Sequence, residues 1–111
     1  MVPHLMNRNA AFFGIGQFGQ GNIDLFNRPQ YMNPDGSVST VRSMSFNDGT
    51  GEILVPTIAY QNGKPALLTD QQAIDRYYRT GEYLGKFNTV PEANDYAERL
   101  HRQQDVIYGR K

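Results

Sequence analysis

The chain has no cysteine, two histidines and no long apolar run among its 111 residues. Without cysteine, disulfides and thiolate metal sites are excluded. His4 and His101 are too far apart in the chain to suggest a metal set with its scattered carboxylates. No segment approaches a membrane span, and the first ten residues, "MVPHLMNRNA", lack the apolar centre of a signal peptide. The expectation is a protein made in the cytoplasm, with no membrane partner. Excess charge is also missing, since 11 basic residues balance 11 acidic ones. The signs mix in both halves, three Lys/Arg against four Asp/Glu in 1–60 and eight against seven in 61–111. Non-specific nucleic-acid binding usually needs a basic field, so no nucleic-acid partner is expected. Near-zero charge gives little colloidal repulsion, which suits a component of an assembly. A chain of this length reads as one domain with one modest core.

Glycine is not scarce. Gly14, Gly16, Gly19 and Gly21 fall within residues 1–22, beside Phe12, Phe13 and Phe18 and a single charge, Arg8. Gly14-Ile15-Gly16-Gln17-Phe18-Gly19 is a literal G-x-G-x-x-G. A dinucleotide loop of that form needs a helix beginning within it and a parallel strand after it. Gln20-Gly21-Asn22 is a poor helix start, Arg28-Pro29 ends the segment soon after, and Asp35 already belongs to a turn. The dinucleotide reading is therefore rejected and no cofactor is expected. Glycine at this density opposes helix, while the phenylalanines argue against a merely solvated linker. Residues 1–22 are expected to form an extended arm, and 23–111 the folded domain. Such an arm reaches at most roughly 70 Å. Ordering it costs on the order of 20–40 kcal/mol, which asks for roughly 800–1,600 Å² of apolar burial. That area is the size of a protein interface, so a neighbouring subunit is the expected partner.

Strand signals follow. Asn33-Pro34-Asp35-Gly36 is a turn in which Pro34 presets one angle and Gly36 accepts positive φ. It joins "PQYM" to "SVSTVRSMSF", where Val38, Met44 and Phe46 share one face and Ser39, Ser43 and Ser45 the other. "EILVPTIAY" is apolar on both faces, with Pro56 marking an edge or bulge, and Gln61-Asn62-Gly63 closes it. The expectation is a three-stranded antiparallel meander. Two capping boxes, Thr69/Gln72 and Thr89/Glu92, then start two helices. Ala73, Ile74, Tyr77 and Tyr78 form the apolar face of the first, with Gly81 at its end. Ala93, Tyr96, Ala97, Leu100, Gln104 and Ile107 trace the stripe of the second. "EYLGKFN" between them reads as a loop. The fold class is α+β, with both helices on one face of the small sheet.

Catalytic sets are thin. His101 has Asp105 one turn on, an ordinary surface pairing. The serines sit in no nucleophile elbow. Asp48 and Glu52 suit a solvated hairpin loop better than a carboxylate pair. Arg42 projects from a mostly apolar strand face, so it calls for an acidic or carbonyl partner, in the domain or across an interface. An enzyme is not expected.

Five segments together carry a resemblance: "GNIDLFNRP", "NPDGSVSTVRSMSF", "ILVPTI", "AIDRYYRTGEYLGKF" and "YAERLHRQQ". In this order they resemble a small module of tailed bacteriophages, found alone or within large virion-associated proteins, some also bearing peptidoglycan-cleaving domains. The likeness runs from about Gly21 to Tyr108. It brings no catalytic residues with it and implies a location, the phage particle. The expectation is a non-enzymatic structural protein of the virion, a capsid cement or accessory or a tail or neck component, oligomeric in the particle. Its partners would be other virion proteins, reached through Phe12, Phe13, Phe18, Ile23, Leu25 and Arg42. The alternative is a binding module for cell-wall glycan or peptide, with tyrosines as a stacking platform.

Overall fold

Thr69 and Thr89 start the two helices by the same device. Their hydroxyls accept the backbone N–H of Gln72 at 3.1 Å and of Glu92 at 3.2 Å. The Gln72 and Glu92 side chains in turn accept the threonine N–H groups. Both ends thus satisfy donors that a helix otherwise leaves orphaned. Helix α1 spans Asp70–Thr80 and helix α2 spans Val90–Ile107. Gly81 stops α1 with φ of 76° and donates its N–H to the Tyr77 carbonyl. This structure is a computed structural model, and it describes residues 14–108.

Among the described residues the strands are β1 (Tyr31–Met32), β2 (Val38–Ser39), β3 (Ser43–Asn47), β4 (Glu52–Pro56), β5 (Ile58–Gln61), β6 (Lys64–Leu67) and β7 (Gly85–Phe87). They make three antiparallel sheets: β1 with β2, β5 with β6, and a central sheet in the order β3-β4-β7. The α+β class holds. The three-stranded meander holds in part: β3 and β4 pair as expected, but both long strand readings are broken in the middle. "PQYM" does pair across the Asn33–Gly36 turn, with Tyr31 opposite Ser39 and Met32 opposite Val38. Between β2 and β3, however, Thr40 turns its hydroxyl to the Gln104 Oε1 at 2.6 Å and Val41 enters the core. Thr57 likewise separates β4 from β5: its N–H donates to the Arg42 carbonyl at 2.6 Å, and its own carbonyl accepts from Leu68 at 2.7 Å. Asn62 and Gly63, with φ of 54° and 80°, then make the two-residue turn that pairs β5 with β6. The third strand of the central sheet is β7, from the segment read as a loop; three residues are too few to show alternation.

Strand β4 is buried along its whole length. Ile53 and Val55 pack with Ala73 and the half-buried Met44, Phe46 and Tyr77, so that face meets α1. Leu54 points the other way, to Tyr96 and Leu100 of α2 and to Ile15, Ile23 and Leu25. The helices therefore cover opposite faces of the central sheet, which corrects the one-face arrangement. A strand apolar on both sides needs both sides covered.

Residues 14–22 are irregular, as their glycines require, yet they do not run out from the domain. Ile15 is 2% exposed, and its carbonyl accepts the Gln103 side-chain amide at 2.7 Å. A Cβ on Gly21 would overlap the Tyr83 carbonyl, and one on Gly19 would overlap the Tyr96 hydroxyl. These two glycines serve close packing of backbone on its own domain. No helix begins in the Gly14–Gly19 segment, where Gly19 donates to Gly16 in a tight turn.

Candidate functional site

The segment from Asn22 to Pro29 has no regular structure and is held by side chains. Asn22 clamps the end of α1: its N–H donates to the Tyr83 carbonyl, its amide nitrogen donates to the Gly81 carbonyl, and its amide oxygen accepts the Tyr83 N–H at 2.9 Å. Two stretches that carry the resemblance, Asn22–Leu25 and Thr80–Gly85, thus bind each other. Downstream, Gln104 donates to the Leu25 carbonyl at 2.8 Å. The Arg28 N–H donates to the Tyr108 hydroxyl at 2.6 Å. Buried backbone that joins no ladder must find such partners.

Arg28 lies where this segment crosses the break after β2 and the start of β5. Its Nε donates to the Thr40 carbonyl at 3.1 Å and its Nη2 to the Ile58 carbonyl at 2.8 Å. The guanidinium is held by carbonyls, and among the described residues no carboxylate bridges it. Burial first, and the nearby Arg76 charge second, push its pKa down to about 10. It stays charged at neutral pH, in a setting that disfavours the charge.

Beside Arg28 a cleft of about 240 Å³ opens between the Asn22–Pro29 segment, β5 and α1, with Asp24, Asn27, Tyr60, Arg76 and Glu82 also on its walls. Arg76 donates to Glu82 at 2.8 Å. Asp24 accepts the Phe26 N–H at 3.0 Å through one oxygen and the Gln17 amide at 3.2 Å through the other. A second cleft of about 270 Å³ shares Tyr60 and Arg76 and runs on along α1 past Asp75 and Arg79.

A different kind of surface lies on the two hairpins. Met32 and Val38, paired across β1 and β2, are 63% and 41% exposed, and Tyr60 and Leu67 on β5 and β6 are 61% and 40% exposed. The hairpins touch each other through β1 and β6. Each two-stranded sheet leaves outer edges unpaired among the described residues.

The residues expected to contact a partner fall in three places. Phe18 is on the surface, 48% exposed. Phe12 and Phe13 lie outside the described residues. Ile23 and Leu25 are in the core, 6% and 1% exposed, and are taken up by α2 and β4 rather than offered to a neighbour. Arg42 does not project from an apolar strand face. It sits exposed in the break between β2 and β3, and no ion pair among the described residues includes it.

Other expectations also shift. Glu52 does not solvate a loop; it is 7% exposed and accepts the Ser45 hydroxyl at 2.7 Å. Asp48 does serve its turn, accepting the Thr50 N–H and hydroxyl, which hold its carboxyl below the ordinary carboxylate range. His101 and Asp105 pair loosely at 3.9 Å on the surface of α2, worth little in water. Tyr78, placed on the apolar face of α1, is 64% exposed. It joins Phe46, Tyr77 and Tyr83 in a group of mostly edge-on rings.

Sequence reasoning missed Arg28 and Gln103. Arg28 is the only cation in "GNIDLFNRP", bracketed by Phe26 and Pro29, and that isolation was its signal. Gln104 appeared in an otherwise apolar stripe, which in retrospect marks an amide kept for buried backbone.

Among the described residues no group of three or more His, Asp or Glu is placed to hold a metal, and no helix is long and apolar enough to cross a membrane. The chain matches no family model, no curated protein and no solved structure.

Proposed function

We propose that this protein is a non-enzymatic structural component of a tailed-phage virion, a capsid accessory or a tail or neck part, that docks on neighbouring virion proteins. The sequence resemblance supplies the location. The observation that supports docking is the exposed apolar surface of the paired hairpins, Met32, Val38, Tyr60 and Leu67, beside unpaired strand edges. Apolar side chains grouped beside open edges are surfaces that proteins normally cover. The first test is quantitative mass spectrometry of purified particles, as copies relative to the major capsid protein. A comparable copy number makes it a capsid-covering component, a handful of copies a tail or neck part. Absence from the particle overturns the reading. Any test of the N-terminal arm has to stop at residue 13, because deleting further removes the buried Ile15.

The exposed rings of Tyr60 and Tyr78 favour the second reading, a cell-wall glycan or peptide-binding module. Retention on purified peptidoglycan with no virion partner present would put that reading ahead.

A further inference from the structure

The cleft beside Arg28 has an uneven supply of hydrogen-bonding groups. Its two carboxylates are engaged: Asp24 accepts through both oxygens, and Glu82 holds Arg76. Its donors are not exhausted. An arginine carries five N–H groups in a fixed fork. Arg28 spends Nε and Nη2 on the Thr40 and Ile58 carbonyls, leaving Nη1 without a partner among the described residues. Arg76 uses one terminal nitrogen on Glu82. The Asn27 side-chain amide and the Tyr60 hydroxyl have no hydrogen bond among the described residues, and both residues line the cleft. The Arg76 charge disfavours that of Arg28, and the Arg76–Glu82 ion pair does not extend to Arg28. What Arg28 lacks is a negatively charged hydrogen-bond acceptor.

We propose that the cleft receives a carboxylate from a neighbouring protein, an acidic side chain seated between Arg28 and Arg76 with Asn27 and Tyr60 as flanking donors. The inference rests on the docking reading only for the source of the carboxylate. Charge-assisted donors from two arginines suit a carboxylate, whose two oxygens accept one from each, better than a sugar hydroxyl. The two carbonyls fix the Arg28 fork before the ligand arrives, which lowers the ordering cost of binding. Asp24 and Glu82 also line the cleft and disfavour a highly charged ligand such as a polyphosphate.

The test uses the full chain and side-chain NMR of the arginine Nε–H groups. The probes are a blocked tripeptide with central glutamate, the same peptide with central glutamine, and an N-acetylglucosamine trimer. The expected result is a saturable shift of the Arg28 and Arg76 signals with the glutamate peptide and none with the other two. Arg76→Gln, at a partly exposed position, should weaken glutamate-peptide binding about tenfold. Arg28→Lys keeps the charge but loses the fork and should weaken it too. No shift with the glutamate peptide, equal shifts with the glutamine peptide, or shifts with the sugar alone would each overturn the proposal. Particle mass spectrometry tests the virion reading separately, so either can fail without the other.

Discussion

The two faces of β4 are covered in different ways. On the Leu54 face, α2 meets an irregular segment from the far end of the chain, and Ile15, Leu25, Leu84, Tyr96 and Leu100 are almost completely buried. On the Ile53 and Val55 face, α1 supplies one buried residue, Ala73, and the rest is half-buried, with Phe46, Tyr77 and Tyr83 leaning on one another. The first face encloses backbone that joins no sheet, so it also needs buried amides, Gln103 and Gln104, to satisfy the carbonyls of Ile15 and Leu25. The second needs none, because a helix satisfies its own backbone. A deep core assembled from irregular chain thus carries a polar scaffold that a shallow helix-on-strand contact does without.

The sharpest contrast should come from truncation. Leu100→Ala removes a side chain that is 0% exposed on the deep face, and should cost about 2–5 kcal/mol. Phe46→Ala, on the shallow face, should cost about 1–2 kcal/mol. Urea unfolding measures both, and equal losses would break the comparison.

Next in size is the polar scaffold. Gln104→Leu keeps the volume roughly but strands the Leu25 carbonyl and the Thr40 hydroxyl, both partners of Gln104. The expected loss is about 1–3 kcal/mol for each group left buried without a partner. Gln71→Leu on exposed α1, where the amide only reaches Asp75, should change stability by less than about 0.5 kcal/mol. If the two behave alike, the amides of α2 are not what holds the irregular segment.

The close approach of that segment gives a third contrast. Gly21→Ala meets the Tyr83 carbonyl at once, whereas a Cβ on Gly14 meets nothing within 4 Å and only its φ of 76° opposes it. Thermal unfolding should therefore show Gly21→Ala losing about 1–3 kcal/mol through overpacking and Gly14→Ala about 1 kcal/mol through backbone strain.

The shallow face was the more legible one in the sequence. The Thr69/Gln72 capping box, the Gly81 terminus and the Ala73 and Tyr77 spacing are local signals, and each appears where the residues put it. The covered state of β4 was legible for the same reason, since "EILV" has no polar face. On the deep face only α2 was legible, through the Thr89/Glu92 capping box and the Tyr96 and Leu100 spacing. Ile15, Ile23 and Leu25 show no period, and their burial depends on Tyr96, Leu100 and the glutamines some eighty residues later. Strand β7 is recognisable only once β4 lies beside it. The cleft suffers likewise. Arg28, Tyr60, Arg76 and Glu82 come from four separate stretches, and nothing local to any of them signals that they meet.

The smallest expected difference between the faces is in alkali. Burial raises the pKa of Tyr96 on the deep face and of Tyr77 on the shallow one. A tyrosine whose folded pKa lies above its unfolded value near 10 adds stability that is fully present below that pH. The contribution is lost as pH climbs through the folded value, because there the unfolded chain releases the proton first. Tyr96 is 2% exposed and accepts the Gln20 N–H at 3.1 Å, so its phenolate has little water to reach. Tyr77 sits among rings with solvent nearby and should contribute less. Urea midpoints should fall between about pH 9 and about pH 11. Tyr96→Phe should flatten that fall more than Tyr77→Phe does, although each starts from its own stability at neutral pH. An equal effect of the two substitutions would mean that the Tyr96 hydroxyl is as well hydrated as that of Tyr77, and the deep face is wetter than its packing implies.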